Sequence, residues 1–181
     1  MKAALDVCYH DDRAIAACVV FDDWLDTGPA AVFRVATPIP ARYRAGRFFE
    51  RELPCLLAVL DSAEQEFDTV LIDGYVHLKT DLGKGLGVHL FESLPYRTTV
   101  IGVAKSPLSA ADRFVPVTRG RSARPLFVSA IGCPLAQAAE NVAGMHGLHR
   151  IPTLLRLADR HARGLDEPSA RLSVRRPGRR P

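Results

Sequence analysis

Three carboxylates at separate points of the chain have the residue types and settings of a metal site. Asp6 lies inside an apolar segment, Asp73 ends another, and Glu52 interrupts an apolar helical pattern. Carboxylates that approach one another raise each other's pKa unless a cation neutralises them. Carboxylate oxygens are the ligands that Mg²⁺ and Mn²⁺ prefer, and such an ion can polarise a phosphodiester and position a water.

Each of these acids also has an ordinary structural interpretation. An aspartate in or after a strand is more often a turn former or a cap than a ligand. Glu52 can be a solvated residue of a helix. Spacing alone therefore leaves the metal site the less favoured of the two interpretations.

The elements that must position these acids alternate between strands and helices. Strand patterns cover residues 2–9, 14–21, 31–37, 69–73, 98–104, 115–117 and 125–131. Helical patterns cover residues 46–63, the end of a Gly-rich segment at 80–93, and residues 134–145 and 152–163. Pro54 either kinks the first helix or begins a second one.

This order predicts an α/β fold with a mixed sheet, in which an antiparallel meander is joined to parallel strands and helices flank the sheet. If the first and fourth strands are neighbours, Asp6 and Asp73 lie side by side. The helix of Glu52 can then cover the same edge. Tertiary proximity of the three acids thus depends on strand order.

Composition narrows the class of protein. A chain of 181 residues with 48% hydrophobic and 24% charged residues is typical of one soluble globular domain. Met1 to Asp6 reaches an acid too early for a secretory signal, so we expect a cytoplasmic protein. The four cysteines, which have no C-x-x-C spacing, are expected to be reduced and not to bind zinc.

The net charge of +4 comes from the end of the chain. Residues 168–181 carry five arginines and no acid, so the remainder is close to neutral. This composition predicts a disordered basic tail, with a domain at 1–163 and the tail at 164–181. The tail either touches phosphates nonspecifically or only solubilises the chain.

Six sequence motifs follow one another in an order that is specific as a set. They are A-L-D-V at 4–7, R-Y-R-A-G and E-R-E-L-P at 42–46 and 50–54, V-L-I-D-G at 70–74, T-T-V-I-G-V-A-K at 98–105, P-L-F-V at 125–128 and R-I-P-T-L-L-R-L-A-D at 150–159. Together they resemble the endonuclease V family, whose members have a ribonuclease H-like fold and cut nucleic acid near deaminated adenine. The resemblance covers about residues 3–163.

The resemblance assigns chemistry to four residues. It implies that Asp6, Glu52 and Asp73 are ligands of Mg²⁺ or Mn²⁺, against the structural interpretation of each acid alone. It places Lys105, which follows G-V-A, near the scissile phosphate. These four residues are the predicted catalytic set.

The resemblance also implies a base-recognition region. Tyr43 matches the aromatic residue of a wedge loop that stacks where the damaged base leaves the helix, and Gly46 ends that loop. Gly74 matches the wall of the base pocket. His77 is a displaced counterpart of a family histidine, and His89 lies in G-L-G-V-H-L, which is similar to the start of a family helix.

The chain departs from the family pattern in four places, one of which is a later family aspartate that has no clear counterpart at Leu135-Ala136-Gln137. The family's H-P-R core is absent after Gly74, where the chain reads Y-V-H-L-K-T-D-L-G. The wedge loop lacks both prolines and gains Arg44 and Arg47, which favours contact with phosphates of another nucleic acid, such as a single strand. The family's later G-H pair, which supplies an active-site histidine, reads Gly132-Cys133.

These observations predict a metal-dependent endonuclease of nucleic-acid repair that hydrolyses a phosphodiester 3′ of deaminated adenine in DNA or RNA. Its partner would be nucleic acid rather than a membrane, and we expect a monomer. The alternative is a nucleic-acid-binding module of the same fold that cuts weakly or not at all, with Cys133 in place of the histidine.

Overall fold

The computed structural model describes residues 1–11, 13–39, 49–79, 83–109 and 111–165. The predicted segment 40–48, which contains Tyr43, Arg44, Gly46 and Arg47, lies outside the described residues. The predicted basic tail lies outside them from residue 166 onward.

Seven strands form the main sheet within the described part of the chain. They are β1 (Lys2–Tyr9), β2 (Arg13–Phe21), β3 (Ala31–Pro38), β4 (Thr69–Ile72), β6 (Thr99–Ala104), β8 (Phe114–Val117) and β9 (Leu126–Ile131), and two short strands, β5 (His77–Leu78) and β7 (Ala111–Asp112), pair separately. The order of strands in the main sheet is β3-β2-β1-β4-β6-β9-β8. Strands β1, β4 and β6 run parallel, and the other pairs of the main sheet are antiparallel. The predicted mixed sheet, with a meander joined to parallel strands, is confirmed.

Among the described residues, four helices cover both faces of the sheet. They are α1 (Phe49–Ser62), α2 (Leu86–Ser93), α3 (Leu135–Gly144) and α4 (Thr153–Ala162). The apolar side chains of α1 and α2 pack on one face in a core that includes Leu56, Val59 and Leu90. Those of α3 and α4 pack on the other face, where Val142 and Leu154 are buried.

Pro54 is inside α1, which continues through it as a single helix of 14 residues. Of the two predicted outcomes, a second helix beginning at Pro54 is wrong. Pro54 is exposed, whereas Cys55, Leu56, Val59 and Leu60 are buried. The apolar face of the helix therefore packs on the sheet in spite of the hydrogen bond that a proline removes.

The buried Arg119 fixes the connection between α3 and α4. Its guanidinium donates to the carbonyl oxygens of Ala143 at 3.0 Å and His149 at 3.2 Å, and also to that of Met145. Carbonyls at a helix C-terminus lack partners within the helix, so these bonds satisfy them. The bond to His149 ties the segment before α4 to the end of α3.

Among the described residues, no helix combines the length and apolar character needed to cross a bilayer. Cys8, Cys18, Cys55 and Cys133 are free thiols.

Candidate active site

The strand register brings Asp6 and Asp73 together. Leu5 on β1 is paired with Ile72 on the parallel strand β4, so Asp6 and Asp73 are the next residues on neighbouring strands. Lys105 directly follows β6, which pairs with β4 on its other side. Because the carboxyl ends of parallel strands meet at one edge of a sheet, the three side chains share that edge. The predicted adjacency of the first and fourth strands is confirmed.

Glu52 approaches the same edge from above the sheet. It lies in the first turn of α1 and is only 8% exposed, which is unusual for a glutamate. The apolar residues that follow it, Cys55 and Leu56, hold this face of the helix against the sheet. Glu52 is therefore buried by the packing of its own helix.

One cavity of about 280 Å³ contains all four residues of the predicted catalytic set. It is lined by Asp6, Val7, Cys8, Glu52, Asp73, Lys105, Asp159, Ala162 and Arg163. We call it the carboxylate cavity. The structure thus brings Asp6, Glu52, Asp73 and Lys105 to one place, although they are up to 99 positions apart in the chain.

Asp159 is a fourth acid of this cavity, and sequence reasoning gave it no role. It lies on α4, and its Oδ1 accepts a hydrogen bond from Nε of Arg163 at 2.9 Å. The available signal was its place at the end of the motif R-I-P-T-L-L-R-L-A-D, where the family pattern has a histidine or an aspartate. The motif alone did not predict that α4 packs beside the strand ends of Asp6 and Asp73.

Two acids of the cavity have raised pKa values, because they are buried and lie close to other carboxylates. Burial, followed by the charge of Asp73, raises the pKa of Asp6 to about 7. Burial, followed by the charge of Asp6, raises the pKa of Glu52 to about 8. Buried carboxylates favour their neutral forms unless a cation compensates their charge, so this cavity favours bound positive charge.

Lys105 supplies one such charge. Its Nζ lies 2.6 Å from Oδ2 of Asp73, and both side chains are about two-fifths exposed. Burial lowers the pKa of Lys105, but the charge and hydrogen bond of Asp73 outweigh that effect, so its pKa is raised. The ammonium group therefore remains protonated beside the carboxylates.

The donor set of the cavity fits a hard divalent cation. Four carboxylates face one lysine and one arginine there, and oxygen-rich sets with excess negative charge are those that Mg²⁺ and Mn²⁺ take. As they stand, no three His, Cys, Asp or Glu side chains within the described residues are grouped closely enough to hold a metal ion. The fit therefore rests on donor chemistry and on the raised pKa values of Asp6 and Glu52, which a bound cation would lower.

A buried hydroxyl fixes the turn after Asp73. Ser129 on β9 accepts a hydrogen bond from the backbone N–H of Val76 at 3.0 Å, and its side chain is fully buried. Gly74 has φ +147°, a conformation that favours glycine. A Cβ on Gly102 would stand 2.5 Å from the carbonyl oxygen of Gly74, so the turn packs directly on β6.

Arg150 holds the segment of Lys105 from the other side. Its Nη2 donates to the carbonyl oxygen of Pro125 at 2.7 Å and to that of Lys105. The backbone after β6 is thus tied to the backbone before β9. Both sides of the Asp73–Lys105 pair are supported by buried or half-buried polar contacts.

Three of the predicted base-recognition residues are described by the structure, and none of them lines this cavity, although Gly74 directly follows Asp73. Gly74, His77 and His89 are not among the described residues that line it. His77 pairs with Asp112 in the small sheet of β5 and β7. The ring of His89 stacks on Phe49, the first residue of α1, with centroids 3.8 Å apart. Tyr43 and Gly46 lie outside the described residues, so their roles remain predictions.

Cys133 does not lie at the carboxylate edge, by which we mean the sheet edge that carries Asp6, Asp73 and Lys105. The expectation that its position belongs to the active site is wrong. Strand β9 runs antiparallel to β6, and Ile131 pairs with Val100 near the start of β6. Gly132 accordingly packs against Thr98 and Thr99. The carboxylate edge is at the opposite end of β6, so a cysteine here removes no group from the cavity.

Comparison with known proteins places this geometry in a family. The family model described as Endonuclease V matches residues 1–119. No curated protein sequence matches the chain.

Several solved structures that resemble this fold are endonucleases V. The Streptomyces avermitilis enzyme is 27% identical, with a TM-score of 0.73 over 90% of this chain and 79% of that one. A Ciona intestinalis enzyme in complex with DNA containing an inosine followed by a ribo-adenosine is 20% identical, with a TM-score of 0.74 over 91% and 84%. Human ENDOV is 22% identical, with a TM-score of 0.69 over 91% and 83%.

The likeness to these structures shows the ribonuclease H-like fold, which agrees with the mixed seven-stranded sheet. The family model covers about two thirds of the chain and includes the segments of Asp6, Glu52, Asp73 and Lys105. The chain therefore belongs to the endonuclease V family of nucleases.

Proposed function

We propose that this protein is a metal-dependent endonuclease that hydrolyses a phosphodiester on the 3′ side of deaminated adenine in nucleic acid and leaves a 3′-hydroxyl. The observation that carries the proposal is the carboxylate cavity, in which four acids and Lys105 meet at one sheet edge. Family membership and the inosine-containing DNA of the Ciona intestinalis complex support the substrate class.

Asp6, Glu52 and Asp73 would hold Mg²⁺ or Mn²⁺, with Asp159 beside them. Such an ion, when bound, makes water a stronger nucleophile and polarises the phosphodiester. Because the pKa of Asp6 is about 7 and that of Glu52 about 8, both groups must give up protons before they serve as ligands near neutral pH. Positive charge in the cavity favours that loss.

Lys105 has the position and charge to stabilise the reacting phosphate. Its Nζ is bonded to Asp73 and has two further N–H donors, since an ammonium group has three. A nonbridging phosphate oxygen that enters the cavity can accept one of these bonds. The bond strengthens as negative charge grows on the oxygen, which lowers the barrier for the chemical step.

Base recognition is proposed for residues near the amino end of α1. Tyr43 and Gly46 would form the wedge, and Gly74, His77 and His89 would contribute to the pocket of the extruded base. Extrusion needs a side chain that fills the vacated stack and a pocket that reads the base. The stack of His89 on Phe49 supports this placement, because Phe49 begins the helix that follows the wedge segment.

The test incubates end-labelled DNA and RNA oligonucleotides, each with one inosine or an adenosine in its place, with Mg²⁺, Mn²⁺ or EDTA. We expect cation-dependent cleavage of the inosine strands, with products that a polymerase can extend. Asp73→Asn should abolish cleavage. Glu140→Gln, which removes an exposed acid on α3, should cut like the unaltered protein.

Two outcomes would contradict the proposal. Binding of inosine strands without cleavage under any cation would favour a binding module of the same fold. Equal cleavage by Asp73→Asn would show that the activity comes from another site or another protein.

A further inference from the structure

Two arginines flank the carboxylate cavity, and the proposed reaction does not yet use them. Arg163 follows α4 and lines the cavity, and its side chain is 56% exposed. Arg34 lies on β3, three strands from the centre of the parallel core. We call this pair the rim arginines.

The sheet register places Arg34 in the same row as Asp6. Asp6 pairs with Ala17 on β2, and Ala17 pairs with Arg34 on β3. Directly paired residues point to the same face of a sheet, and neighbouring strands are about 4.8 Å apart, so the Cα atoms of Asp6 and Arg34 are roughly 10 Å apart. Arg34 is therefore on the face that α4 covers.

The two rim arginines also approach each other. Nη2 of Arg34 lies 3.6 Å from the point at which a Cβ on Gly164 would stand, and Gly164 directly follows Arg163. Helix α4 packs on β1 and β2, so its C-terminal end lies next to β3, the edge strand beyond β2. The rim thus has positive groups on two adjacent elements beside the acids.

Both guanidinium groups retain donors for a ligand. Arg163 uses Nε for Asp159, and a guanidinium has five N–H donors. Arg34 is half-buried, and its Nε is buried without a hydrogen-bond partner among the described residues. Because this Nε is buried, the outer Nη groups of the half-buried side chain are the donors that can meet an anion from solvent.

A polyanion faces an electrostatic problem at this cavity, because four acids line it. A cation compensates the centre, but the flanking phosphates of a strand still pass over negative surface. Arginine matches phosphate oxygens with two parallel N–H donors, which favours it over lysine at such positions. The rim arginines supply that match beside the acids.

We propose that Arg34 and Arg163 form a phosphate-binding site on the rim of the carboxylate cavity, where they contact the sugar–phosphate backbone next to the bond that is cut. The proposal rests on the proposed nuclease function for the identity of the ligand. It adds contacts that carry no base information and that set the register of the strand over the acids.

The test measures binding without cleavage. Fluorescence anisotropy in EDTA gives the affinity for a labelled inosine-containing single strand and its duplex between about 50 and 200 mM salt. Each phosphate contact contributes about 0.7 to the slope of log K against log salt for a single strand and about 0.9 for a duplex. Arg34→Gln and Arg163→Gln should each reduce the slope by about that amount, and the double variant by about twice as much.

Matched variants separate this site from a general loss of charge. Arg97→Gln removes an exposed arginine before β6, at the opposite edge of the sheet, and should leave the slope unchanged. Arg34→Lys and Arg163→Lys keep the charge and should retain the slope. Circular dichroism must show that each variant is folded at the assay temperature throughout the salt range.

The outcomes distinguish the two proposals. Unchanged slopes in both Gln variants would overturn the rim site while cleavage assays still decide the nuclease function. Reduced slopes in a protein that binds but never cuts would support the rim site and contradict the nuclease. A slope that falls equally in Arg97→Gln would also overturn the rim site, as would the absence of strand binding both in EDTA and by the non-cutting Asp73→Asn variant with Mg²⁺.

Discussion

Lys105 Nζ lies 2.6 Å from Oδ2 of Asp73, at the ends of two neighbouring parallel strands. This ion pair is partly exposed, so it contributes little to stability, typically less than about 1 kcal/mol. Its location at the carboxylate edge gives it a chemical rather than a structural significance.

Lys105→Met should therefore impair cleavage far more than folding. Loss of one donor to developing charge typically costs about 100-fold or more in kcat. The melting temperature should change by no more than that of Lys84→Met, which removes a similarly exposed ion pair with Glu92. Single-turnover cleavage and thermal melts check this, and a kcat within threefold of the unaltered protein would contradict it.

In EDTA, the protein should lose stability as pH rises. The folded-state pKa values of Asp6, about 7, and Glu52, about 8, lie above those of the unfolded chain, so the folded state binds more protons. Their stabilising contribution is complete below about pH 4 and is lost through pH 7 to 8.

Asp6→Asn and Glu52→Gln should each flatten this pH dependence, because a neutral amide does not titrate. Melting temperatures at several pH values in EDTA measure it, and each 1 kcal/mol corresponds to about 2–4 °C in a chain of this size. A melting temperature that rises steadily from pH 5 to 8.5, in parallel in all three proteins, would be inconsistent with buried acids of raised pKa.

Divalent cations should stabilise the folded protein at pH 8. A ligand at about 100 times its dissociation constant adds about 2.7 kcal/mol of stability. Mg²⁺ or Mn²⁺ should raise the melting temperature of the unaltered protein, and Glu52→Gln should lose most of that rise. Glu140→Gln should keep it, and an equal rise in Glu52→Gln would place cation binding elsewhere.

Asp159→Asn should weaken cation binding in the cavity rather than destabilise the fold. Loss of a group that supports a metal site typically costs about 10- to 100-fold in metal affinity or activity. The Mn²⁺ concentration for half-maximal cleavage should rise accordingly. The comparison is Asp61→Asn, at the far end of α1; an unchanged Mn²⁺ dependence in Asp159→Asn would remove this acid from the site.

Ser129→Ala should destabilise the turn after Asp73. The N–H of Val76 would remain buried without its acceptor, which costs about 1–3 kcal/mol. Thermal melts measure the loss, and Ser122→Ala, in the exposed turn before Arg124, provides a comparison of the same chemistry. A smaller loss in Ser129→Ala than in Ser122→Ala would show that another group satisfies Val76.

Local patterns in the sequence predicted most of the fold. Alternating and apolar runs gave β1 at its observed bounds and the other strands of the main sheet within about two residues. The short strands β5 and β7 were not predicted, because two residues are too few for a period to be visible. The sequence did not decide whether α1 continues through Pro54. The low helix propensity of one proline competes with the packing of the whole apolar face, and only the structure shows which prevails.

The sequence by itself determined the chemistry that is available and the elements that carry it: strands ending at Asp73 and Lys105, a helix bearing Glu52, and motifs in the family order. Only the tertiary structure decided that Asp159 joins these residues, that Arg34 shares the row of Asp6, and that Cys133 lies at the opposite edge. The physical reason is that periodicity reports the local backbone, whereas the direction and order of strands follow from contacts between distant segments.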